Sequence, residues 1–340
     1  MRIERFDATF DLDAARALYD VYRAGAPVDE PGSPPMSYGV FSGLLEQGWC
    51  GEPHETWLAR QEPGDAVLGG YTLELPDREN RERSGLWMVV VPARRRAGLG
   101  TVLLRHATAR ASELGRVVMT SEVRAGTPGE GFARAVGAAA ELTEARRTLD
   151  VRSIPAGWRA ELRASTKAGS AGYALLEWYG PTPEAYLDAV AELNEAMGDA
   201  PHSAGAERQR WDAERVRQSG RRAIRQGLRH YSIAAQEEES GELAGLTEMS
   251  VDPADPEWGH QELTVVARAH RGHQLGLLLK VAMLELLVER EPQIETIETF
   301  NAESNKHMIA VNEALGYEVT GRLTAWELPT GAASPAVDRR

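Results

Sequence analysis

Apolar and polar residues follow two periods along the chain, and these periods predict a succession of strands and helices. In residues 12–23, apolar side chains recur at the spacing of a helix that buries one face. Residues 86–91 form a short, dense apolar run, which is typical of a buried strand. Helices that alternate with strands predict an α/β layer structure with a partly parallel sheet.

The same order of elements occurs twice. In the first half, the pattern predicts strands at 2–7, 56–61, 67–75, 86–91, 117–123 and 141–151, and helices at 12–23, 100–114 and 132–136. In the second half, it predicts strands at 173–179, 231–236, 243–251, 261–266, 294–300 and 318–328, and helices at 182–197, 275–290 and 305–315. Two tandem domains of one type are therefore expected.

The length of the chain agrees with this division. A prior of roughly 150 residues per domain separates 340 residues into two domains. Residues 152–172 are rich in Ser, Gly, Ala and Lys and carry little periodicity, so we place the boundary there. The predicted organisation is a domain at 1–152, a linker at 153–172, a second domain at 173–330 and a flexible tail at 331–340.

Charge and cysteine content exclude several classes of partner and site. The formal net charge of −13 opposes binding to nucleic acid or to an anionic membrane, and mildly favours amines, although acidity also serves solubility alone. No apolar run approaches the ~18 residues of a transmembrane helix, and no signal-peptide core is present, so we expect a cytoplasmic protein. Cys50, the only cysteine, lacks a nucleophile signature and is interpreted as a structural thiol.

The most informative segment is the strand-to-helix junction at residues 86–101. The apolar strand ends in three consecutive arginines, and Gly98 and Gly100 follow where the helix begins. Glycines let backbone N–H groups approach a ligand, and a helix N-terminus adds the positive end of its dipole. We interpret this junction as a cradle for a diphosphate, with an ordinary helix start as the alternative. A P-loop motif is absent, and the third glycine of a dinucleotide-binding fingerprint is missing.

The junction resembles a known family. The pattern V-x-P-x-x-R-x-x-G-x-G, met by Val90, Pro92, Arg95, Gly98 and Gly100, is similar to the acyl-CoA loop of the GNAT acetyltransferase superfamily. The resemblance implies a mixed, splayed sheet in each half, and acetyl-CoA or another short acyl-CoA as cofactor. It also implies that loop amides hold the diphosphate and that the preceding strand pairs with the pantetheine arm. The cofactor-binding residues implied in the first half are Val90, Val91, Arg95, Arg96, Gly98, Leu99, Gly100 and Thr101.

The second half resembles the same family through different residues. Its junction keeps Arg271 and Gly276 but has Gln274 at the position of the first loop glycine, which weakens the cradle. Residues 300–317 resemble the N-x-x-A and L-G-[FY] segment of the family, which lines the coenzyme. The layout looks most like the C-terminal part of actinobacterial tandem GNAT proteins, mycothiol synthase among them, and assigns no substrate. The cofactor-binding residues implied here are Val265, Val266, Arg271, Gly272, Leu275, Gly276, Asn301 and Asn305.

Transfer of an acyl group to an amine needs a base for the ammonium proton. Glu262, on the strand that leads into the second loop, is the first candidate, and Glu74 and Glu122 are weaker candidates in the first half. For each, a structural or solvated carboxylate is the alternative. The family's tyrosine acid corresponds to Asn312, which cannot protonate a thiolate, so the acid stays unassigned. His270 and His273 lack a matching Cys or carboxylate pattern, and no metal site is expected.

The sequence therefore predicts an acetyl-CoA-dependent N-acetyltransferase that acts on a small-molecule amine by direct transfer in a ternary complex. We expect a monomer or homodimer, with irregular segments at 25–55 and 198–228 shaping the acceptor pocket. Two alternatives stay open. The first is a tandem protein that binds acyl-CoA without turnover, and the second is an acetyltransferase of protein lysines or N-termini. The catalytic half is not assigned.

Overall fold

The secondary structure is given by a computed structural model that describes residues 1–48, 51–63, 65–155 and 157–331. Cys50 and the tail residues 332–340, two subjects of the sequence predictions, lie outside the described residues. The strands, in chain order, are β1 (Arg2–Phe6), β2 (His54–Arg60), β3 (Val67–Glu74), β4 (Arg83–Val90), β5 (Val118–Arg124), β6 (Ala139–Asp150), β7 (Tyr173–Tyr179), β8 (Arg229–Glu237), β9 (Leu243–Val251), β10 (Trp258–Val266), β11 (Thr296–Ala302) and β12 (Glu318–Pro329). The α-helices are α1 (Leu12–Asp29), α2 (Tyr38–Gln47), α3 (Leu99–Glu113), α4 (Pro128–Ala135), α5 (Trp158–Thr166), α6 (Leu187–Ala196), α7 (Ala213–Arg225), α8 (Leu275–Arg290) and α9 (Lys306–Ala314).

The N-terminal unit comprises Met1–Thr143, Ser203–Glu207 and the chain from Arg322 onwards. Its strands follow the order β1-β2-β3-β4-β5-β12. Neighbours are antiparallel except β4 and β5, which are parallel. Helices α1 and α2 pack on one face of the sheet, where Leu58 and Val89 are buried, and α3 packs on the other, where Tyr71 and Leu103 are buried.

The C-terminal unit comprises Glu144–His202 and Arg208–Gly321. Its strands follow the order β7-β8-β9-β10-β11-β6, again antiparallel except for the parallel pair β10 and β11. Helices α6 and α7 pack on the face that buries Leu246, and α8 packs on the face that buries Ile233. Both units thus have the same mixed sheet with helices on both faces, which confirms the expected fold class.

The last strand of each sheet comes from the other half of the sequence. In the N-terminal unit, β5 pairs with β12 from Leu323 to Pro329. In the C-terminal unit, β11 pairs with β6 from Glu144 to Asp150. The two units therefore do not follow the linear division that the sequence predicts at residues 152 and 173.

Three helices occupy segments for which the sequence predicts no helix. Residues 153–172, the predicted linker, contain α5, whose Trp158 and Leu162 pack against the core cluster around α8. Helices α2 and α7 lie within the predicted irregular segments 25–55 and 198–228. Helix α7 is so rich in arginine that Val216 is its one buried apolar side chain, which explains why an apolar period did not reveal it. Among the described helices, none combines the length and the apolar character needed to cross a membrane.

Candidate functional site

In each unit the parallel strands separate part-way along, and we take this strand gap as the candidate site. Strands β4 and β5 pair from Arg83 to Gly85, and β4 then continues to Val90. Strands β10 and β11 pair from Trp258 to His260, and β10 then continues to Val266. Beyond the last pair, each central strand presents an edge of peptide groups, which must find hydrogen-bond partners elsewhere. An extended ligand can bind such an edge as an added strand would.

A short loop joins each central strand to a helix, and both loops have the same backbone shape. In the N-terminal loop, Arg96 and Gly98 have φ values of 62° and 85°. In the C-terminal loop, the matching Gly272 and Gln274 have φ values of 90° and 57°. Each loop thus places one glycine and one other residue at its two left-handed positions, where a side chain costs about 1–2 kcal/mol. Gln274 therefore adopts the same left-handed conformation as Gly98, although the sequence predicts that Gln274 weakens the cradle.

Each loop ends at a helix N-terminus that can bind an anion. In α3 the first main-chain bond from the loop runs from the Val102 amide to the Gly98 carbonyl, at 3.1 Å. In α8 the Leu278 amide bonds the Gln274 carbonyl at 3.0 Å. The amides before these positions have no partner within the helix and carry the positive end of its dipole. The geometry therefore fits the phosphate-binding role predicted for the main chain at both junctions.

The two glycines of the N-terminal loop have different surroundings. A Cβ atom on Gly98 would have no neighbour within 4 Å, so this side of the loop opens outward. A Cβ atom on Gly100 would lie 3.4 Å from the Phe132 ring, an ordinary van der Waals contact with α4. A Cβ atom on the matching Gly276 would lie 3.9 Å from the Val311 side chain. The first residue of each helix, Leu99 or Leu275, is buried, and what it offers a ligand is its main chain.

The loop arginines hold the loops in place. The Arg95 side chain donates to the Val90 carbonyl at 3.1 Å and to Asp29 at 2.8 Å. Arg271 repeats this arrangement, donating to the Val266 carbonyl at 3.3 Å and to Asp199 at 2.9 Å. The family resemblance implies that both side chains contact the coenzyme, whereas their guanidinium groups are already paired with an aspartate. Their structural role is to tie each loop to its strand.

Other predicted cofactor residues differ in their surroundings. Asn305 caps α9, where its Oδ1 accepts from the Met308 amide at 3.2 Å, so its side chain has a structural role. Asn301 is half-buried on β11, three residues beyond the last pair with β10. The exposure of the remaining members supports main-chain roles at the strand ends and helix starts: Val90, Val91, Val266 and Thr101 are half-buried, Arg96 and Gly272 are exposed, and Val265 is buried.

Aromatic rings fill the α1 and α2 side of the N-terminal gap. Trp87 of β4 lies 5.6 Å from the Phe41 ring and 6.1 Å from the Tyr22 ring, measured between centroids. Tyr22 and Phe41 stack at 5.3 Å. Glu74, the predicted base of this half, lies beside Gly85, where an added Cβ would be 2.9 Å from its Oε2 atom. On this face the N-terminal gap therefore holds a cluster of aromatic rings beside the Glu74 carboxylate.

The same face of the C-terminal unit is polar. Glu262 is exposed and is the extra residue of a bulge in β10, where the register shifts between Gln261 and Leu263. Its carboxylate accepts a hydrogen bond from Ser250. Glu248 lies two residues away on β9 and therefore on the same face as Ser250. Burial, with a contribution from the charge of Glu262, raises the pKa of Glu248. Two carboxylates thus lie at this gap, and burial disfavours the charged form of Glu248.

A buried ion pair closes the inner end of the C-terminal gap. Glu298 of β11 accepts from Arg146 at 2.7 Å and contacts His260 Nδ1 at 2.9 Å. Burial alone would raise the pKa of Glu298, but hydrogen bonds and charges of His260 and Arg146 lower it to about 2. The sequence prediction missed this cluster because Arg146, His260 and Glu298 lie on three separate strands.

A chain of polar side chains crosses the core beneath the same gap. Lys280 of α8 donates to Asn312 Oδ1 at 2.6 Å, and Asn312 Nδ2 donates to Asn301 Oδ1. Lys280 is 3% exposed, and burial lowers its pKa to about 7. Its Nζ atom lies 5.0 Å from the centre of the Tyr317 ring. A lone lysine in an otherwise apolar stretch of α8 was the available sequence signal, and it was missed.

Two further features lie outside the gaps. A surface depression of about 300 Å³ is lined by Met1, Leu68, Gly98 and Val102, among others. Leu68 belongs to β3, so this depression lies on the side of β4 away from β5. The His270 ring contacts the Tyr173 hydroxyl at 2.9 Å. Within the described residues, no group of three His, Cys, Asp or Glu side chains is arranged to hold a metal ion.

Comparison with known proteins matches both units to one family. The family model described as Acetyltransferase (GNAT) family matches residues 16–137 and 172–317. A search of the curated proteins gave no match.

Solved structures resemble the chain over its whole length. A tandem GNAT protein from the clavulanic acid biosynthesis pathway is 29% identical, with a TM-score of 0.80 and coverage of 98% of this chain and 99% of that one. A GCN5-related N-acetyltransferase from Sphaerobacter thermophilus is 17% identical, with a TM-score of 0.65 and coverage of 99% and 97%. A glucosamine N-acetyltransferase region of a fungal multi-domain β-N-acetylglucosaminidase is 15% identical, with a TM-score of 0.62 and coverage of 96% and 38%. The last two likenesses show the fold alone.

Proposed function

Because the chain belongs to the GNAT acetyltransferase family, we propose that it is an acetyl-CoA-dependent N-acetyltransferase whose C-terminal unit acetylates a small-molecule amine. Transfer is direct, within a ternary complex of protein, acyl donor and amine. The observation that carries this proposal is the contrast between the two gaps. The C-terminal gap has two carboxylates, Glu248 and Glu262, on its α6 and α7 side, whereas aromatic rings pack beside Glu74 on the same side of the N-terminal gap.

The coenzyme fits both loops by the same argument. The strand edge beyond the last parallel pair can bind an extended amide-containing arm, and the helix N-terminus can bind a diphosphate. The open space beside Gly98 leaves room for such a group at the N-terminal loop. In the C-terminal loop the Gln274 side chain lies against Gly169, where an added Cβ would be 2.7 Å from its Oε1 atom, so it packs against the protein.

The polar face supplies the base. Acetyl-CoA, when bound, supplies the activated acyl group. Glu262 is exposed beside the gap and accepts the proton of the acceptor ammonium, directly or through water. Peptide N–H groups of the β10 edge stabilise charge on the acyl oxygen.

A small-molecule acceptor is supported by two observations. The tandem GNAT protein from the clavulanic acid biosynthesis pathway, which covers 98% of this chain, comes from a pathway that makes a small molecule. The resemblance of the second half to mycothiol-synthase-like proteins favours an acceptor of the same size class. Carboxylates at the gap favour an acceptor that arrives as a cation.

The N-terminal unit has a different role in this proposal. Its loop keeps the backbone geometry of the C-terminal one, whereas Trp87, Tyr22 and Phe41 occupy the acceptor side. The specific alternative of acyl-CoA binding without turnover therefore applies to this unit. It binds the coenzyme and transfers nothing.

The test is release of coenzyme A thiol from acetyl-CoA in the presence of a panel of primary amines. Glu262→Gln is expected to lower kcat/KM by about 10²-fold, the usual contribution of a general base. Glu289→Gln, which changes an exposed carboxylate on α8, is the matched control. Glu74→Gln tests the competing gap.

Two results would contradict the proposal. One is a wild-type protein that releases thiol with none of the amines although calorimetry detects coenzyme binding, which would favour a binding protein. The other is a large loss of activity in Glu74→Gln with little loss in Glu262→Gln, which would assign transfer to the N-terminal unit.

A further inference from the structure

The two hydrogen bonds that link the side chains of Lys280, Asn312 and Asn301 run in one direction from donor to acceptor. A lysine ammonium has three N–H donors and no acceptor, so the Asn312 atom that faces Lys280 must be the carbonyl oxygen. The Asn312 amide nitrogen then points the other way, where it donates to the Asn301 oxygen. Asn301 is half-buried at the edge of the gap, and its own amide nitrogen is the end of this chain. The chain of hydrogen bonds therefore ends in a donor group, the amide N–H₂ of Asn301.

The N-terminal unit shows that the fold does not require this chain. Position by position, Leu104 in α3 corresponds to Lys280, both being the sixth residue of their helices. Ala133 corresponds to Asn312, four residues before a left-handed glycine in each unit. Val123 corresponds to Asn301, five residues after the first parallel pair. The same three positions are thus apolar in one copy and polar in the other.

Burial of the polar version is costly. Lys280 and Asn312 are 3% and 0% exposed, and removing an ammonium and an amide from water is unfavourable even when they are bonded to each other. Stability therefore favours the apolar version, which the N-terminal unit has. Retention of the costly version beside the gap to which we assign transfer points to a use in the reaction.

We propose that Lys280 and Asn312 are positioning residues that hold the Asn301 amide with its N–H₂ group towards the C-terminal gap, where it binds a carbonyl oxygen of the acyl carrier. This inference rests on the proposed function of the C-terminal unit. Asn301 lies three residues along β11 from the closed end of the gap at Glu298, about 10 Å at the usual rise of a strand. The carbonyl that it binds therefore belongs to the part of the carrier that enters the gap, away from the loop amides.

The sharpest test reverses the direction of the chain at constant volume. Asn312→Asp keeps an acceptor for Lys280 but has no N–H to donate, so the Asn301 amide turns and presents its oxygen to the gap. We expect kcat/KM for acetyl-CoA to fall at least 10-fold, with KM for the amine unchanged within error. Asn301→Ala is expected to cause a similar loss. The two substitutions together should cause no further loss, because Asn312 acts through Asn301.

A measurement that needs no turnover separates this inference from the proposed function. The side-chain amide signals of Asn301, assigned in ¹H–¹⁵N spectra by their absence from Asn301→Ala, are expected to shift when acetyl-CoA is added to the wild type and to stay in place in Asn312→Asp. Equal shifts in both proteins, or additive losses of kcat/KM in the double variant, would overturn the positioning role. Shifts as expected in a protein that acetylates no amine would overturn the proposed function and leave the positioning role standing.

Discussion

Making the buried polar chain apolar, as it is in the N-terminal unit, should stabilise the C-terminal unit. The variant is Lys280→Leu with Asn312→Ala, which copies Leu104 and Ala133. These residues pack at matching positions of the same fold, so the substituted side chains have a precedent within the chain itself.

The magnitude follows from the titration of Lys280. Burial lowers its pKa from 10.5 to about 7, a fall of about 3.5. At 1.36 kcal/mol for each unit, the buried cation costs at most about 5 kcal/mol at neutral pH. Loss of the two hydrogen bonds of Asn312 lowers the gain in the free energy of unfolding by about 1 kcal/mol for each bond. We therefore expect a net gain of about 2–3 kcal/mol, within the range measured when buried ions are replaced by packed apolar side chains.

The pH dependence has a definite sign. Because the folded-state pKa of Lys280 lies below the unfolded value, the unfolded chain binds more protons between pH 7 and pH 10.5. The wild-type stability therefore rises with pH in this window, and the advantage of the variant shrinks. Tyr317 is the titratable group whose ring faces Lys280, and burial raises its pKa, so it stays neutral throughout the window.

Differential scanning calorimetry at pH 7 and at pH 9.5 measures both effects. A gain of 2–3 kcal/mol corresponds to about 4–12 °C for a unit of this size. The reasoning is refuted if the variant melts below the wild type at pH 7, or if its advantage is as large at pH 9.5. Combined with the expected loss of activity, a more stable variant would identify the polar chain as a feature kept for function.

Two further predictions concern other parts of the site. Acetyl-CoA should raise the melting temperature, and Gly98→Val should remove the part of this rise that belongs to the N-terminal unit, since a β-branched residue is strained at the φ of 85° there. Gln274→Gly, which relaxes the other loop, is the control. An undiminished rise in Gly98→Val would mean that the first loop binds nothing. Lowering the pH from 5 to 2 should cost the C-terminal unit about 3 kcal/mol through protonation of Glu298, whose pKa falls from 4.5 to about 2 on folding. Urea unfolding at pH 6 and pH 3 should show a smaller difference for Glu298→Gln, and an equal difference would assign the acid sensitivity to other groups.

Local patterns revealed the fold, and they predicted where the loops between the central strands and the following helices lie. The apolar runs that predicted β4 and β10, and the glycines near Gly98, depend on neighbouring residues, so one sequence suffices to recognise them. Arg95 makes a contact that local patterns do not predict. Its partner Asp29 lies 66 positions away, at the end of α1, and no local pattern indicates that pairing.

The acceptor side of the gap was harder to predict for the same reason. Glu262 was recognised from its strand, but the bulge that exposes it depends on the register with β9. Its neighbours Glu248 and His260 share the gap through pairing between strands, which a sequence period does not encode. Lys280 is the opposite case, because its place in an apolar helix is visible in the sequence while its partners Asn301 and Asn312 are set by packing of three elements.

The assignment of β12 to the N-terminal unit has a consequence for how the protein is made. Strand β5 receives its antiparallel neighbour from residues 323–329, which a ribosome adds only after strands β7 to β11 have been made. Until then the edge of β5 exposes unpaired peptide groups, a template for wrong association between nascent chains. The N-terminal unit is thus completed only after the strands β7 to β11 of the C-terminal unit have been made, and a gene fragment that stops between the two halves of the sequence encodes an unfinished sheet.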